Sequence, residues 1–326
     1  MKLSAEYVIE NNGITFDEAK ELSLIDNERL LDLFNTSNKM RLHYKGNEVN
    51  TCSILNAKSG LCPEDCNFCA QSVHHKTSAK VYPLLSAGTI IDKAKQADNI
   101  PAKGFSIVTS GYGIDNSDEL EIIAQAVKGI SEQTHFYGCA SLGILTEHEL
   151  NHLKESGLVK YHHNLETSRS FFPNVCTTHP YEDDIEAIGN AKRTGLKVCS
   201  GGIFGLGESW EDRIELAFTL KRLDVDSVPI NFLNPVKGTP LEDVRNLTPL
   251  ECLKVIAIYR LILPDKDIVI CGGREVNLRD LQSMIFFAGA NGMMLGGYLT
   301  TSGRPVETDL QMLKDLGLAP AKPLAV

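Results

Sequence analysis

Cys62, Cys66 and Cys69 stand within eight residues of one another, in the run Leu61-Cys62-Pro63-Glu64-Asp65-Cys66-Asn67-Phe68-Cys69. Thiolates are soft ligands, and three so close together can hold three irons of a [4Fe–4S] cluster. No fourth cysteine follows within the next sixty residues. One iron would keep an open position, which makes a reactive centre; electron carriers usually close all their irons with cysteine. The competing reading is a zinc knuckle, which needs a fourth ligand at a fixed offset. His74 or His75 lies near enough to serve.

Such a centre needs a scaffold, and the pattern of the chain supplies one. After an acidic helical lead-in from Thr15 to about Asn35, eight short apolar runs read as strands. They fall near 50–58, 104–111, 136–142, 159–167, 197–204, 227–233, 268–272 and 292–296. Amphipathic stretches between them, such as 118–130, 147–156, 183–194, 211–222 and 249–262, read as helices. This alternation predicts an α/β fold, a (β/α)8 TIM-type barrel over residues 41–326 with an N-terminal helical extension over residues 1–40. An open doubly wound sheet is the alternative, because periodicity does not show closure.

Within that frame Cys52, Cys139, Cys199 and Cys271 fall on the first, third, fifth and seventh strands. Alternate strands of a parallel barrel build one interior layer, so these four can converge on a second metal centre. Buried cysteine is also an ordinary core residue. Cys176, in a loop-like stretch, and Cys252, on a helix, read as structural.

Composition narrows the class. At 326 residues and 43% hydrophobic, the chain can bury a full core. A net charge of −10 argues against nucleic acid or an anionic membrane as partner. No apolar stretch reaches membrane-spanning length and the start lacks a signal-peptide core. Nine cysteines without an export signal read as thiols of a reducing compartment, and a cytoplasmic location is expected.

The extended motif Gly60-x-Cys62-Pro63-Glu64-Asp65-Cys66-x-Phe68-Cys69-x-Gln71-Ser72 resembles the signature of the radical S-adenosylmethionine superfamily, and the biotin synthase family in particular. Tyr161-His162-His163-Asn164-Leu165-Glu166-Thr167, Val198-Cys199-Ser200-Gly201-Gly202, Val228-Pro229-Ile230-Asn231 and Lys237-Gly238-Thr239-Pro240 are similar to that family too. The likeness runs from about residue 40 to residue 318. It implies a [4Fe–4S] cluster on Cys62, Cys66 and Cys69, with S-adenosyl-L-methionine chelated to the open iron. Reductive cleavage then gives a 5′-deoxyadenosyl radical, and sulfur is inserted into dethiobiotin to close the biotin ring. By the same resemblance Phe68 lies beside the adenine, and Thr109-Ser110-Gly111 near the methionine end. Gly201, Ile203 and Gly205 support the adenosine, and Asn164 and Glu166 bind the ribose hydroxyls. Asn164 also touches substrate, and Asn231 reads the ureido ring. A homodimer and a flavodoxin or ferredoxin electron donor are implied as well. Rival readings are another radical enzyme of this barrel type, such as a hydrogenase-cofactor maturase or a methylornithine synthase, and a non-catalytic iron–sulfur scaffold.

Two departures from the family pattern stand out. The family commonly holds a [2Fe–2S] cluster with cysteines on strands 2, 3 and 5 and an arginine on strand 7. Here the strand 2 position is Ser106 and the arginine position is Val269, while Cys52 and Cys271 appear where serine is usual. A different auxiliary cluster is expected, held by Cys139, Cys199 and Cys271 with Cys52 as a further candidate. More thiolates favour a four-iron type, and if only three bind, a free iron can carry an extra sulfide as sulfur donor. The second departure is Asp184, where the family carries arginine near the carboxylate of S-adenosylmethionine. An aspartate cannot make that contact.

Overall fold

The computed structural model describes residues 4–297, 299 and 303–322. The outermost residues of the two expected segments, 1–3 and 323–326, lie outside the described residues. The strands are β1 (Glu48–Lys58), β2 (Gly104–Thr109), β3 (Tyr137–Ser141), β4 (Leu158–His162), β5 (Lys197–Cys199), β6 (Gly202–Phe204), β7 (Ser227–Phe232), β8 (Asp267–Ile270) and β9 (Gly292–Met294). All pair in parallel, and β9 pairs with β1 from Asn50–Gly292 to Cys52–Met294. That last ladder closes the ring, so the fold is a (β/α)8 barrel and not an open sheet. A short β10 (Ala319–Pro320) adds to the start of β1.

β5 and β6 share one position in the ring. The break between them, at Ser200-Gly201, lies opposite Pro229 of β7. Proline has no N–H to give a ladder, and the Pro229 carbonyl leaves only 2.0 Å to a Cβ at Gly201. The apolar run is continuous in sequence, which is why it reads as a single strand.

The outer helices begin where their caps predict. Asn116 accepts from the N–H groups of Asp118 and Glu119 (both 3.0 Å) and starts Ser117–Gln133. Thr146 with Glu149 and Ser209 with Asp212 form capping boxes for Glu147–Glu155 and Trp210–Arg222. The N-terminal segment is three helices, Ala5–Glu10, Phe16–Ser23 and Leu30–Lys45, so residue 40 falls inside the third. They lie against the helix Pro249–Ile262: Ile14 N–H donates to Leu261 O (3.0 Å) and Lys254 Nζ to Ile25 O (2.8 Å). Arg260 on that helix is wholly buried. It donates to the carbonyls of Gly289 (2.8 Å), Pro264 (3.0 Å) and Lys266 (2.7 Å) and to Asn291 Oδ1 (2.7 Å), tying the helix to β8 and β9. Among the described residues no helix is long and apolar enough to cross a membrane.

Candidate active site

The loop after β1 carries the three motif cysteines at the C-terminal end of the barrel. Gly60 opens it at φ +77°, with Val81 Cγ2 only 2.7 Å from where a Cβ would stand, so both conformation and space require glycine. Gln71 Oε1 accepts from Ser59 Oγ (3.0 Å) and Gly60 N–H (3.2 Å), and Ser72 Oγ donates to Glu64 O (2.5 Å). These two motif residues therefore brace the loop from within. From outside, segment 174–179 clasps it. Asn67 donates to Asn174 O (2.7 Å) through its side chain and to Val175 O (2.9 Å) through its backbone, while Asp65 accepts from Thr177 N–H (2.8 Å). His74 and His75 turn their rings to the carbonyls of Pro63 (2.9 Å) and Cys66 (3.1 Å), away from a ligand role.

Cys62, Cys66 and Cys69 face a cavity of about 300 Å³. Three converging sulfurs with no fourth cysteine of the loop suit a cluster with one open iron. Burial pushes the Cys69 thiol up to about 11, so loading iron there displaces protons. Phe68, Thr109, Ser110, Gly111, Asn164, Glu166, Ile203 and Asn231 line the same cavity. Gly201 and Gly205 do not. The Gly201 N–H donates to Asn164 Oδ1 (3.1 Å), and the Gly205 N–H donates to Glu208 Oε1 (2.9 Å), itself fixed by Arg213 Nε (2.7 Å). Gly201 thus acts on the site through Asn164, whereas Gly205 and Glu208 stand outside it.

Asn164 and Glu166 lie just beyond β4, where the chain still ladders: Leu165 N–H donates to Gly201 O (3.0 Å) and Ile203 N–H to Glu166 O (2.8 Å). Glu166 has φ +60°, a costly conformation for a side-chain-bearing residue. Burial raises its pKa to about 7, opposed by His162 and by the Asn164 amide. Burial likewise pulls His162 down to about 4. Asn231 is buried, donating to Gly202 O (3.3 Å) and accepting from Gly272 N–H (2.9 Å). One amide hydrogen and one lone pair are left for a ligand.

Asp184 is buried and lines the same cavity. It accepts from His163 Nε2 (2.8 Å) and His179 Nε2 (3.4 Å), and the other ring nitrogen of His179 meets Glu64 (2.5 Å). Burial opposes the charge of His179, but Asp184, Cys176 and Glu64 outweigh it and raise its pKa to about 11. Cys176 is part of the same wall, with Sγ 3.4 Å from His179 Nδ1 and 3.3 Å from Thr178 Oγ1. It is more than a packing residue; Cys252, on its helix, is fully buried in the core. A His-Asp-His-Glu chain spread over residues 64–184 leaves no local signal in sequence.

A second cavity, of about 550 Å³, fills the barrel toward the N-terminal ends of the strands. Cys52, Cys139, Cys199 and Cys271 all line it, together with Ser106 and Val269. Cys271 Sγ donates to Val269 O (3.7 Å), and the neighbouring Cys52 thiol together with burial pushes its pKa well up. Burial raises Cys139 to about 12, with Lys160 pulling the other way. Gly104 makes room for this group, since a Cβ there would stand 3.0 Å from Cys139 Sγ. Four thiols in one interior space are a donor set suited to iron–sulfur ligation. The two cavities share a wall made by Val108, Ser141, His162, Asn164, Glu166, Asn231 and Leu299.

The radical S-adenosylmethionine superfamily profile matches residues 58–220, and that of the biotin and thiamin synthesis associated domain matches residues 229–319. A biotin synthase of Geobacter sulfurreducens is 55% identical over 314 residues, covering 96% of this chain and 95% of that protein. One from Geotalea daltonii is 55% identical over 316 residues, covering 97% and 96%. Among solved structures, a methylornithine synthase superposes with a TM-score of 0.85 at 23% identity, covering 98% of this chain and 97% of that one. A maturase of the [FeFe]-hydrogenase superposes at 0.84 with 16% identity, covering 98% and 75%. At such identities these two structures share the barrel alone.

Proposed function

The chain belongs to the biotin synthase family of the radical S-adenosylmethionine superfamily, and on that footing we propose that its two cavities divide one reaction, the insertion of sulfur into dethiobiotin to form biotin. The observation that carries this division is the shared wall: Asn164, Glu166 and Asn231 face both cavities at once. A substrate held there stands between the three loop cysteines and the four interior ones.

Bound to Cys62, Cys66 and Cys69, a [4Fe–4S] cluster with S-adenosylmethionine would supply a 5′-deoxyadenosyl radical that can take hydrogen from unactivated carbon. The protein contributes position. Glu166, ionised, has two oxygens to accept from both hydroxyls of a ribose, and Asn164 stands next to it with Nδ2 3.4 Å away. Phe68 offers a flat apolar face to the base. The free hydrogen and lone pair of Asn231 match a cyclic urea, which both accepts and donates. Ile203 adds an apolar side chain to the same cavity wall.

Cys139, Cys199, Cys271 and Cys52 would hold the auxiliary centre that gives up sulfur, and four thiolates favour a four-iron type over a two-iron one. All nine cysteines are free thiols, which supports a reducing compartment such as the cytoplasm. Family membership supports a flavodoxin or ferredoxin donor and a homodimer.

The test is anaerobic reconstitution of the parent and of a Cys139→Ala/Cys199→Ala/Cys271→Ala variant, followed by iron and sulfide analysis. Each is then assayed with dithionite, S-adenosylmethionine and dethiobiotin. The parent should hold about twice the iron of the variant and make biotin, while the variant releases 5′-deoxyadenosine without biotin. Equal iron in both would show that the interior cysteines are packing residues.

A further inference from the structure

The interior of the barrel holds a charge that the reaction as described does not use. Lys160 lies on β4, inside the ring, and lines the cavity of the four thiols. Its placement is built: the β3–β4 register shifts between Gly138–Leu158 and Cys139–Lys160, which sets Lys160 directly beside Cys139. The next strand places Cys199 against His162, one side-chain step further along β4.

An ammonium in such a place is costly unless it has a partner. Among the described residues Lys160 makes no ion pair with a carboxylate. Its neighbours are Ser227 Oγ at 3.5 Å and the Tyr137 ring at 5.9 Å. The acids that share the cavity wall are engaged elsewhere. Asp267 meets Lys45 (2.8 Å) and Asn291 (2.8 Å), and Asp226 accepts from Val198 N–H (2.8 Å). Lys266 is held by Asp224 (2.6 Å). Val269 and Met294 on the same wall carry no charge. Asp265 lies 3.6 Å from Lys266 and Glu166 accepts from Asn164 (3.4 Å). Lys103 and Lys197 also line this cavity, but Lys160 is the cation that strand register pairs with a cysteine of the group, Cys139.

We infer that Lys160 is the built-in cation of the auxiliary iron–sulfur centre, its ammonium offsetting the negative charge of the group held by Cys52, Cys139, Cys199 and Cys271 and donating hydrogen bonds to its sulfur atoms. This rests on the reading of those four cysteines as cluster ligands. Iron–sulfur groups ligated by thiolates are anionic, and in a closed cavity a fixed cation sets both their retention and their potential. Lys160 is thus a positioning residue for the sulfur-donating centre, placed on β4.

The experiment uses full-length protein reconstituted anaerobically, as parent, K160M, K160Q and K160R. Iron and sulfide per chain are counted, and the reduction potential of the auxiliary centre is followed separately from that of the radical cluster. Response of the radical cluster to S-adenosylmethionine serves as the control for folding. In K160M and K160Q the auxiliary potential should move to more negative values, or roughly half the iron should be lost, while the radical cluster still responds. K160R should restore parental iron and potential. A K160M protein that has lost both clusters has misfolded, and K160Q then decides. Parental iron and an unshifted potential in K160M, or in K160Q where it decides, would overturn the inference. The Cys139→Ala/Cys199→Ala/Cys271→Ala variant runs alongside: if it keeps all the parent's iron, the auxiliary centre itself is absent and the role of Lys160 falls with it.

Discussion

Glu166 is poised between two demands, and replacing it with glutamine should separate them. Burial raises its pKa from the ordinary 4.5 to about 7 in the ligand-free protein. The folded chain then binds more protons than the unfolded chain between these values. Its contribution is therefore fully present below 4.5 and lost as pH rises through about 7. The rise corresponds to at most ~3.4 kcal/mol. Glu166 faces a cavity that water can enter and is only half-buried, so screening lowers this to about 1–2 kcal/mol. E166Q should thus be more stable than the parent by that amount at pH 8 and nearly equal to it at pH 4.5. The assay is urea unfolding of ligand-free protein under reducing, anaerobic conditions at both pH values, with equal denaturant slopes required. The same substitution should weaken S-adenosylmethionine binding by about 10- to 100-fold, because charged hydrogen bonds to the diol are lost. Coincident unfolding midpoints at pH 8 would refute the reasoning, since burial would then impose no cost on the carboxylate.

Other substitutions test the remaining parts of the site. D184R sets a cation between His163 and His179; calorimetric titration should show S-adenosylmethionine binding weakened at least tenfold, as losing one partner of a buried charge network costs about 3–5 kcal/mol. C176A should keep the full radical-cluster iron, whereas C66A should lose it, which separates a neighbour of the cluster from a ligand. R260M leaves several buried carbonyls without a donor and should lower unfolding free energy by about 3–5 kcal/mol, read as a lower urea midpoint with iron content per folded chain unchanged.

Much of this protein was legible before any coordinates. Three cysteines within eight residues are a local fact, and the loop's own Gln71 and Ser72 brace it, so the loop that gathers them follows from short spacings. Strand order followed from periodicity because each β/α unit folds against its neighbour. The helix Pro249–Ile262 ends where the pattern placed it, with Thr248 as its cap. Failures came where a distant residue decides. β5 and β6 are split by Pro229, a residue of the next strand. Cys176 reads as structural and is buried, but only the fold sets its sulfur 3.4 Å from His179. Asp184 looked like a missing contact until His163 and His179 closed on it.

Lys160 shows the division most plainly. Its sequence neighbours mark it only as a lysine within an apolar run. That it stands beside Cys139 depends on a one-residue register shift between two strands, and that it lacks a carboxylate depends on where Lys45, Asn291 and Val198 place Asp267 and Asp226. The sequence by itself determined the cysteine spacing, the alternation of strand and helix and the family, because those follow from short spacings and repeating periods. Only the tertiary structure decided which charges face which thiols, because register and closure bring together residues that no local interaction relates.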